Sequence, residues 1–400
     1  MEIPLTEKVM RCHHGLERTY MSRPSPTGLD RRALLGAAAT LSLAGSGVAS
    51  AAERALPDPA GFDALVRATM RDLQIPGMTI GYGRGGAQWV RGYGFADLEN
   101  GVPATPLSAY RYASVQKPMT AVAVLQQVER GRIQLDADVR QYVPYFPRKP
   151  YPITIRQLLG HIGGITDYTA HPAEEHLKQA MTTQQAIAVF AAHDLIAEPG
   201  TRFHYTSYGY NLLAAAVETA AAVPFGDYLR DHVWRPAGIT SARMDDPLAI
   251  IPHRVRGYQF VDGQVRNSEF VDVSSRVGGG ASRGTVPDLI RFAVALAEGR
   301  LLRPTSMALM TTPTRTRDGK IAGFPRTDGY AMGWSVVGNA KDRVLFHDGG
   351  QTETRTMLIL HPSSRLAIAS AQNFERDIHP PLAFALWQKV TGRPGPMKAT

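Results

Sequence analysis

The sequence predicts an α+β fold: one antiparallel sheet built from both chain ends and flanked by helices, with a largely helical lobe inserted between its halves. Three observations carry this. Strand patterns lie near the start, in "GMTIGYGRGGAQWVRGYGFAD", and again near the end, in "AMGWSVVG", "RVLFHDGG", "TRTMLILHP" and "RLAIASAQN". The stretch from about 115 to 275 reads instead as helices broken by Pro and Gly. Strands from both ends, with helices between them, unite as one sheet whose apolar faces need cover.

Taken in order, a helix is expected over Pro59 to Leu73, then a hairpin turning at Gly83–Gly86. Next comes "RYASVQKPMTAVAVLQQVERGRIQLD", where Ala121, Val122, Val124, Leu125 and Val128 recur at helical spacing and Gly131 ends the run. Pro118 fits the first turn, whose amides have no internal acceptor. Further helices are read in "TIRQLLGHIGG", "TTQQAIAVFAAHDL" and "YNLLAAAVETAAA". In "VPDLIRFAVALAEG", Thr285 stands three residues before Asp288, a capping-box spacing. A closing helix is expected from about Pro380 to Val390.

Composition is that of a globular protein: 44% hydrophobic, 20% charged, net charge +9. No Lys/Arg-rich run marks a nucleic-acid surface, so the basic balance reads as general surface charge. Residues 1–51 read as an export signal and leader. Arg31 and Arg32 precede a short Gly/Ala-rich apolar stretch and the small residues Ala49-Ser50-Ala51, a twin-arginine layout. Cleavage is expected near Ala51, giving a periplasmic or secreted protein with no stable membrane span. The depth of the arginines raises Met21 as an alternative start. The single cysteine, Cys12, lies in this leader, so the mature chain has no thiol for catalysis or metal binding.

Ser114 and Lys117 lie three residues apart where an apolar helix begins, and so share a face. Alone, an S-x-x-K match more often marks a helix-capping serine and a solvated lysine than a catalytic pair. A serine hydroxyl becomes a strong nucleophile when a base takes its proton, and a lysine can do so if burial or a neighbouring cation keeps it neutral. A second proton-handling group is offered by "EPGTRFHYTSYGYNLLA", where periodicity does not distinguish Tyr205, Tyr208 and Tyr210. A third element is "VLFHDGGQTETRTML", an apolar strand ending in His347, Asp348, Gly349 and Gly350. A glycine pair permits close approach, and a free amide there can donate to an oxyanion.

Together SVQK at 114–117, YTS at 205–207 and HDG at 347–349 resemble, in order, the three motifs of the serine β-lactamase and penicillin-binding-protein superfamily, nearest its class C-like branch. "GYGFADLENGVPATP", "IRQLLGHIGGI" and "GGGASRGTVPDLIRF" match as well, and "YVPYFPRKPYPITIRQLLGHIGGI" is similar to the mitochondrial β-lactamase-like serine proteases of animals. The resemblance covers roughly 57–392. It implies a β-lactamase/transpeptidase-like domain over 52–396, with a helical lobe at about 115–275 and an α/β lobe from 57–114 plus 276–392.

It further implies that Ser114 is the acylated nucleophile, Lys117 its proton acceptor and Tyr205 a relay to the leaving group or a second base. His347 would hydrogen-bond the proton network or the substrate. The amides of Ser114 and Gly350 would form the oxyanion hole, with Ser207, Asp348 and Gly349 at the substrate and no cofactor or metal. Ser207 stands where β-lactamases carry Asn, and Asp348 where Thr is usual. A carboxylate facing the substrate carboxylate of a β-lactam is repelled, whereas an Asp348 side chain turned to the other strand face is neutral to it. These departures favour an esterase or peptidase acting on a small ester, amide or peptide. The alternatives are a β-lactamase or D-alanyl-D-alanine carboxypeptidase, and an inactive cell-wall peptide binder. The oligomeric state is open. His161 is expected to cap a helix or brace a loop. "HPAEEH" at 171–176 fits no zinc spacing and is expected to be a solvated acidic helix start.

Overall fold

The computed structural model describes residues 56–376 and 381–397; the leader and Cys12 lie outside them. Helix α1 (Phe62–Leu73) precedes the hairpin of β1 (Gly77–Arg84) and β2 (Ala87–Asp97), to which β3 (Val102–Pro103) adds an edge. Near the other end come β4 (Gly329–Tyr330), β5 (Ser335–Val337), β6 (Val344–Gln351), β7 (Thr354–His361) and β8 (Leu366–Gln372). All eight form one antiparallel sheet in the order β3-β2-β1-β8-β7-β6-β5-β4. The seam between the two chain ends is β1 against β8, in register from Met78 opposite Gln372 to Arg84 opposite Leu366. The α+β architecture expected from the strand distribution is the one observed.

Side chains alternate across a strand, and this sheet uses both faces. Leu345, Leu358 and Leu360 face the larger core, which contains α2 (Lys117–Glu129), α5 (Ser207–Ala221) and α6 (Val286–Ala297). Phe346, Ile359 and Ile368 face a second core closed by Phe62 and Val66 of α1 and by Leu386 and Trp387 of the last helix (Pro381–Thr391). Two shorter helices, α3 (Ile155–Leu159) and α4 (Thr183–Ala191), pack beside α5. The capping box expected at Thr285 is present: Asp288 N donates to Thr285 Oγ1, and Thr285 N donates to Asp288 Oδ2 at 3.2 Å. Among the described residues no single helix is long and apolar enough to cross a membrane.

Strand stands in places where helices were expected: Arg243 and Met244 pair antiparallel with Arg283 and Ser282, and a hairpin follows. Within the supposedly helical 115–275, Tyr258–Val261 pairs antiparallel with Gln264–Asn267. The intervening Asp262 and Gly263 both have positive φ, 52° and 76°. A two-residue Asp-Gly turn of that hand closes a hairpin because its twist matches the strands it joins. Tyr258 is buried in the second core, so this hairpin belongs to the sheet's neighbourhood rather than to the helices.

Candidate active site

Ser114 sits in a single 3₁₀ turn, Ala113–Gln116, that runs directly into α2. Ala113 has φ 47°, a left-handed conformation that costs an alanine about 1–2 kcal/mol. The turn is held against β6, beyond the point where β5 ends. β5 pairs only with Val344, Leu345 and Phe346, leaving the edge from His347 to Gln351 to meet the Ser114 turn. Gly349 permits that approach: a Cβ there would lie 2.3 Å from Thr356 Oγ1, 2.7 Å from Tyr112 O and 3.1 Å from Ala113 Cβ.

Lys117 is fully buried, at 0% exposure. Its Nζ donates to Ser114 Oγ at 2.9 Å, to Ser207 Oγ at 3.1 Å and to Gly279 O at 3.0 Å. The last contact needs the Gly278–Gly280 run: a Cβ on Gly279 would meet Ser207 Cβ at 3.0 Å, and one on Gly278 would meet Tyr210 O at 1.9 Å. Burial pulls the lysine pKa from 10.5 down to about 7, helped by the charge of Arg276 and opposed by Asp167 and Asp348. A fraction of the amine is therefore neutral at neutral pH.

Tyr205 is half-buried, with its ring centroid 4.7 Å from Lys117 Nζ. Burial raises its pKa well above 10, against a hydrogen bond with Ser114 that lowers it. The tyrosine thus stays a phenol while the lysine beside it titrates. Geometry also separates it from its two neighbours. Tyr208 donates to Glu174 Oε2, and Tyr210 donates to Leu159 O at 2.9 Å.

His347 is placed less directly than expected. Its Nδ1 lies 2.6 Å from Asp348 O, which can only accept, so Nδ1 carries the proton and Nε2 accepts from Tyr330 Oη at 3.1 Å. Its ring centroid is 6.0 Å from that of Tyr205. Burial, reinforced by Lys117, lowers its pKa to about 4 despite the opposing Asp348. It is a neutral imidazole whose Nε2 is taken up by Tyr330. Ser207 also differs from expectation. The residue is 3% exposed, and its hydroxyl accepts from Lys117 and donates to Tyr168, so it braces the lysine. Asp348 is half-buried, and its charge acts on Lys117, Tyr205, Tyr330 and His347. Gly350 is exposed at the rim of β6.

Comparison with known proteins shows the family of the chain. The sequence profile of the family described as Beta-lactamase matches residues 62–383. The chain belongs to the Beta-lactamase family. The human serine beta-lactamase-like protein LACTB, mitochondrial, is 25% identical over 73% of this chain and 70% of its own length. The octameric penicillin-binding protein homologue from Pyrococcus abyssi superposes with a TM-score of 0.73 at 22% identity, covering 85% of this chain and 78% of that one. A D-stereospecific amidohydrolase from Streptomyces gives 0.71 at 24% identity, covering 84% of this chain and all of that one, 100%. The two structures share the β-lactamase/transpeptidase fold with this chain. The family is one of serine hydrolases.

Several residues of this β-lactamase-type site carried no motif. Asp167 accepts from Ser207 N at 2.6 Å and supports Lys117 electrostatically. Arg276, buried, stacks on Tyr168 at 4.4 Å and opposes the protonation of Lys117. Tyr330 links to His347. His161 has φ 56°, and its Nδ1 accepts from Thr206 N at 3.2 Å while its ring lies 4.4 Å from that of Tyr205. Both expected roles are met: His161 is the left-handed residue that ends α3, its N donating to Leu158 O at 3.2 Å while Ile162 N donates to Gln157 O at 2.9 Å, and its ring braces the loop. The signal for Asp167 was its place just after the Gly163–Gly164 pair, a polar loop residue held on a rigid scaffold.

Proposed function

We propose that the protein is an exported serine hydrolase that cleaves ester or amide bonds through a covalent acyl-enzyme, with Ser114 as nucleophile. The observation that carries this is a serine Oγ 2.9 Å from a buried lysine whose pKa lies at about 7. Neutral Lys117 accepts the Ser114 proton as Oγ attacks the carbonyl carbon. The negative charge on the carbonyl oxygen goes to the amides of Ser114 and Gly350; losing one such donor in a hydrolase costs roughly 3–4 kcal/mol of barrier. Collapse of the tetrahedral intermediate expels the alcohol or amine, which takes the Tyr205 phenolic proton. Tyr205 regains one from the Lys117 ammonium. Water then attacks the acyl-Ser114 ester, giving its proton to the Tyr205–Lys117 pair, and the released acid leaves Ser114 Oγ to recover a proton from that pair. The raised pKa of Tyr205 supports Lys117 as the first proton acceptor, because the phenolate is the costlier base to form.

Asp348 and the neutral His347 support esters, amides or peptides over β-lactams. Neither offers a cation to a substrate carboxylate, and the first repels it. The Streptomyces protein, a D-stereospecific amidohydrolase, is consistent with this preference. Export rests on the leader. Intact mass after treatment with a fluorophosphonate tests the nucleophile: one covalent adduct is expected, absent in Ser114→Ala, and labelling that survives this substitution rejects the mechanism. Turnover of short-chain p-nitrophenyl esters is expected to exceed that of nitrocefin, and the reverse ranking rejects the substrate reading.

A further inference from the structure

The 171–176 stretch does not form the helix expected of it. It runs through two 3₁₀ turns, Tyr168–Ala170 and Pro172–Glu174. Residues three apart eclipse one another in such a turn, and His171 and Glu174 have that spacing. His176 lies apart and exposed. The partner of His171 comes instead from the end of α4: His193 stacks on it with centroids 3.8 Å apart and planes 6° from parallel. His193 Nε2 is 2.7 Å from Glu174 Oε1. The backbone carbonyl of His193 is pinned by Lys149 Nζ at 2.6 Å, which fixes where that ring begins. All three side chains are half-buried, and one ligand atom from each lies within 4.8 Å of the other two.

We propose that His171, Glu174 and His193 form a binding site for a late first-row divalent cation of the zinc class. Two imidazoles and one carboxylate are the donors such an ion takes, and three protein ligands leave a fourth position for water. Ligation asks for bonds of roughly 2.0–2.2 Å, which brings donors closer together than 4.8 Å. Stacked face to face, the two rings also aim their in-plane lone pairs along parallel planes, so they cannot ligate one ion as they stand. One imidazole must swing so that its nitrogen plane meets the other's, and Glu174 Oε1 exchanges His193 for the metal. Both rings are only half-buried, so the swing displaces no core. The other carboxylate oxygen, Oε2, accepts from Tyr208 Oη, an outer hydrogen bond of the kind that orients a ligating carboxylate.

The location gives the site a consequence. Thr166 Oγ1 lies 3.3 Å from His171 Nε2, and Thr166 O accepts from Thr206 Oγ1 at 2.6 Å. The next residue, Asp167, receives the amide of Ser207, whose hydroxyl braces Lys117. A metal that ties His171 and Glu174 to α4 holds the same segment that orients Ser207.

The test titrates chelator-treated full-length protein with ZnCl₂, by calorimetry and by thermal melts. Stoichiometric uptake and a raised Tm are expected in the wild type and equally in Ser114→Ala, since the nucleophile has no part in this site. Binding should weaken by about tenfold or more in His193→Ala and in His171→Ala. The two variants probe opposite sides of the cluster, so misfolding of one leaves the other decisive. MgCl₂ should produce neither effect. No uptake by the wild type, undiminished uptake by both variants, or a Mg²⁺ response equal to that of Zn²⁺ overturns the proposal.

Discussion

The buried lysine dictates a pH profile that can be worked through from the site. An ordinary lysine with pKa 10.5 is neutral in roughly one molecule in three thousand at pH 7. At a pKa of about 7 roughly half are neutral, a gain of about a thousandfold, or roughly 5 kcal/mol in favour of the free amine. If Lys117 is the first base, kcat/KM for a p-nitrophenyl ester rises with pH through a midpoint near 7, and at pH 6 it is roughly one-tenth of its plateau. The midpoint should move with the charges that set it. Arg276→Gln removes a cation that disfavours the ammonium, so the limb moves to higher pH. Asp167→Asn removes an anion that favours it, so the limb moves to lower pH. Both are read from pre-steady-state acylation or from kcat/KM between pH 5.5 and 9.5, with circular dichroism confirming the fold. A limb that is absent, centred near 10, or unmoved by both substitutions refutes Lys117 as the base.

Three further outcomes follow from the same geometry. Because the folded pKa of Lys117 lies below its unfolded value, the unfolded chain binds more protons between about pH 7 and 10.5, and stability rises with pH across that window. The change in Tm on Lys117→Met should therefore be more favourable at pH 6 than at pH 9.5, by differential scanning fluorimetry; equal changes count against a buried amine. Asp348→Thr should raise the ratio of nitrocefin to ester turnover several-fold or more, since a like-charge contact of this kind costs roughly 1–4 kcal/mol; an unchanged ratio means the carboxylate does not meet the substrate. Gly349→Ala should cost about 1–3 kcal/mol of stability and abolish fluorophosphonate labelling, because its methyl would collide with Tyr112 O; a stable, labelled variant would show that β6 tolerates retreat from the Ser114 turn.

Much of the fold was legible because its signals are local. Apolar alternation marks β1, β7 and β8, and Thr285 with Asp288 marks the start of α6. The hairpin at 258–267 was readable too, through "VDGQ", but its short strands were lost among helical neighbours. The three motifs located Ser114, Lys117 and Tyr205, which the fold brings together. What they omit is whatever acts through space. Asp167 and Arg276 are separated by more than a hundred positions, and neither stands in a motif. Yet with Asp348 they help fix the lysine pKa, because charge works by distance and desolvation rather than by order along the chain. His347 shows the converse. Its motif position promised a group of the active site, and the residue is there, but burial leaves it uncharged and hydrogen-bonded to Tyr330.

That difference bears on what the cleft can hold. A cation at the third motif anchors an anionic substrate end; a neutral imidazole followed by aspartate does not. The charge around Ser114 is instead spent on the lysine, with Arg276 suppressing the ammonium while Asp167 and Asp348 keep it from being lost altogether. A site balanced this way gains its nucleophile from desolvation, and an incoming carboxylate would upset that balance twice. It would meet Asp348 with like charge, and it would raise the Lys117 pKa and so remove the base. A neutral ester or amide does neither. On the proposed mechanism the electrostatics that activate Ser114 and those that choose its substrate are one arrangement, and a variant that admits anionic substrates by adding a cation at position 348 should also shift the acid limb of the pH profile downward.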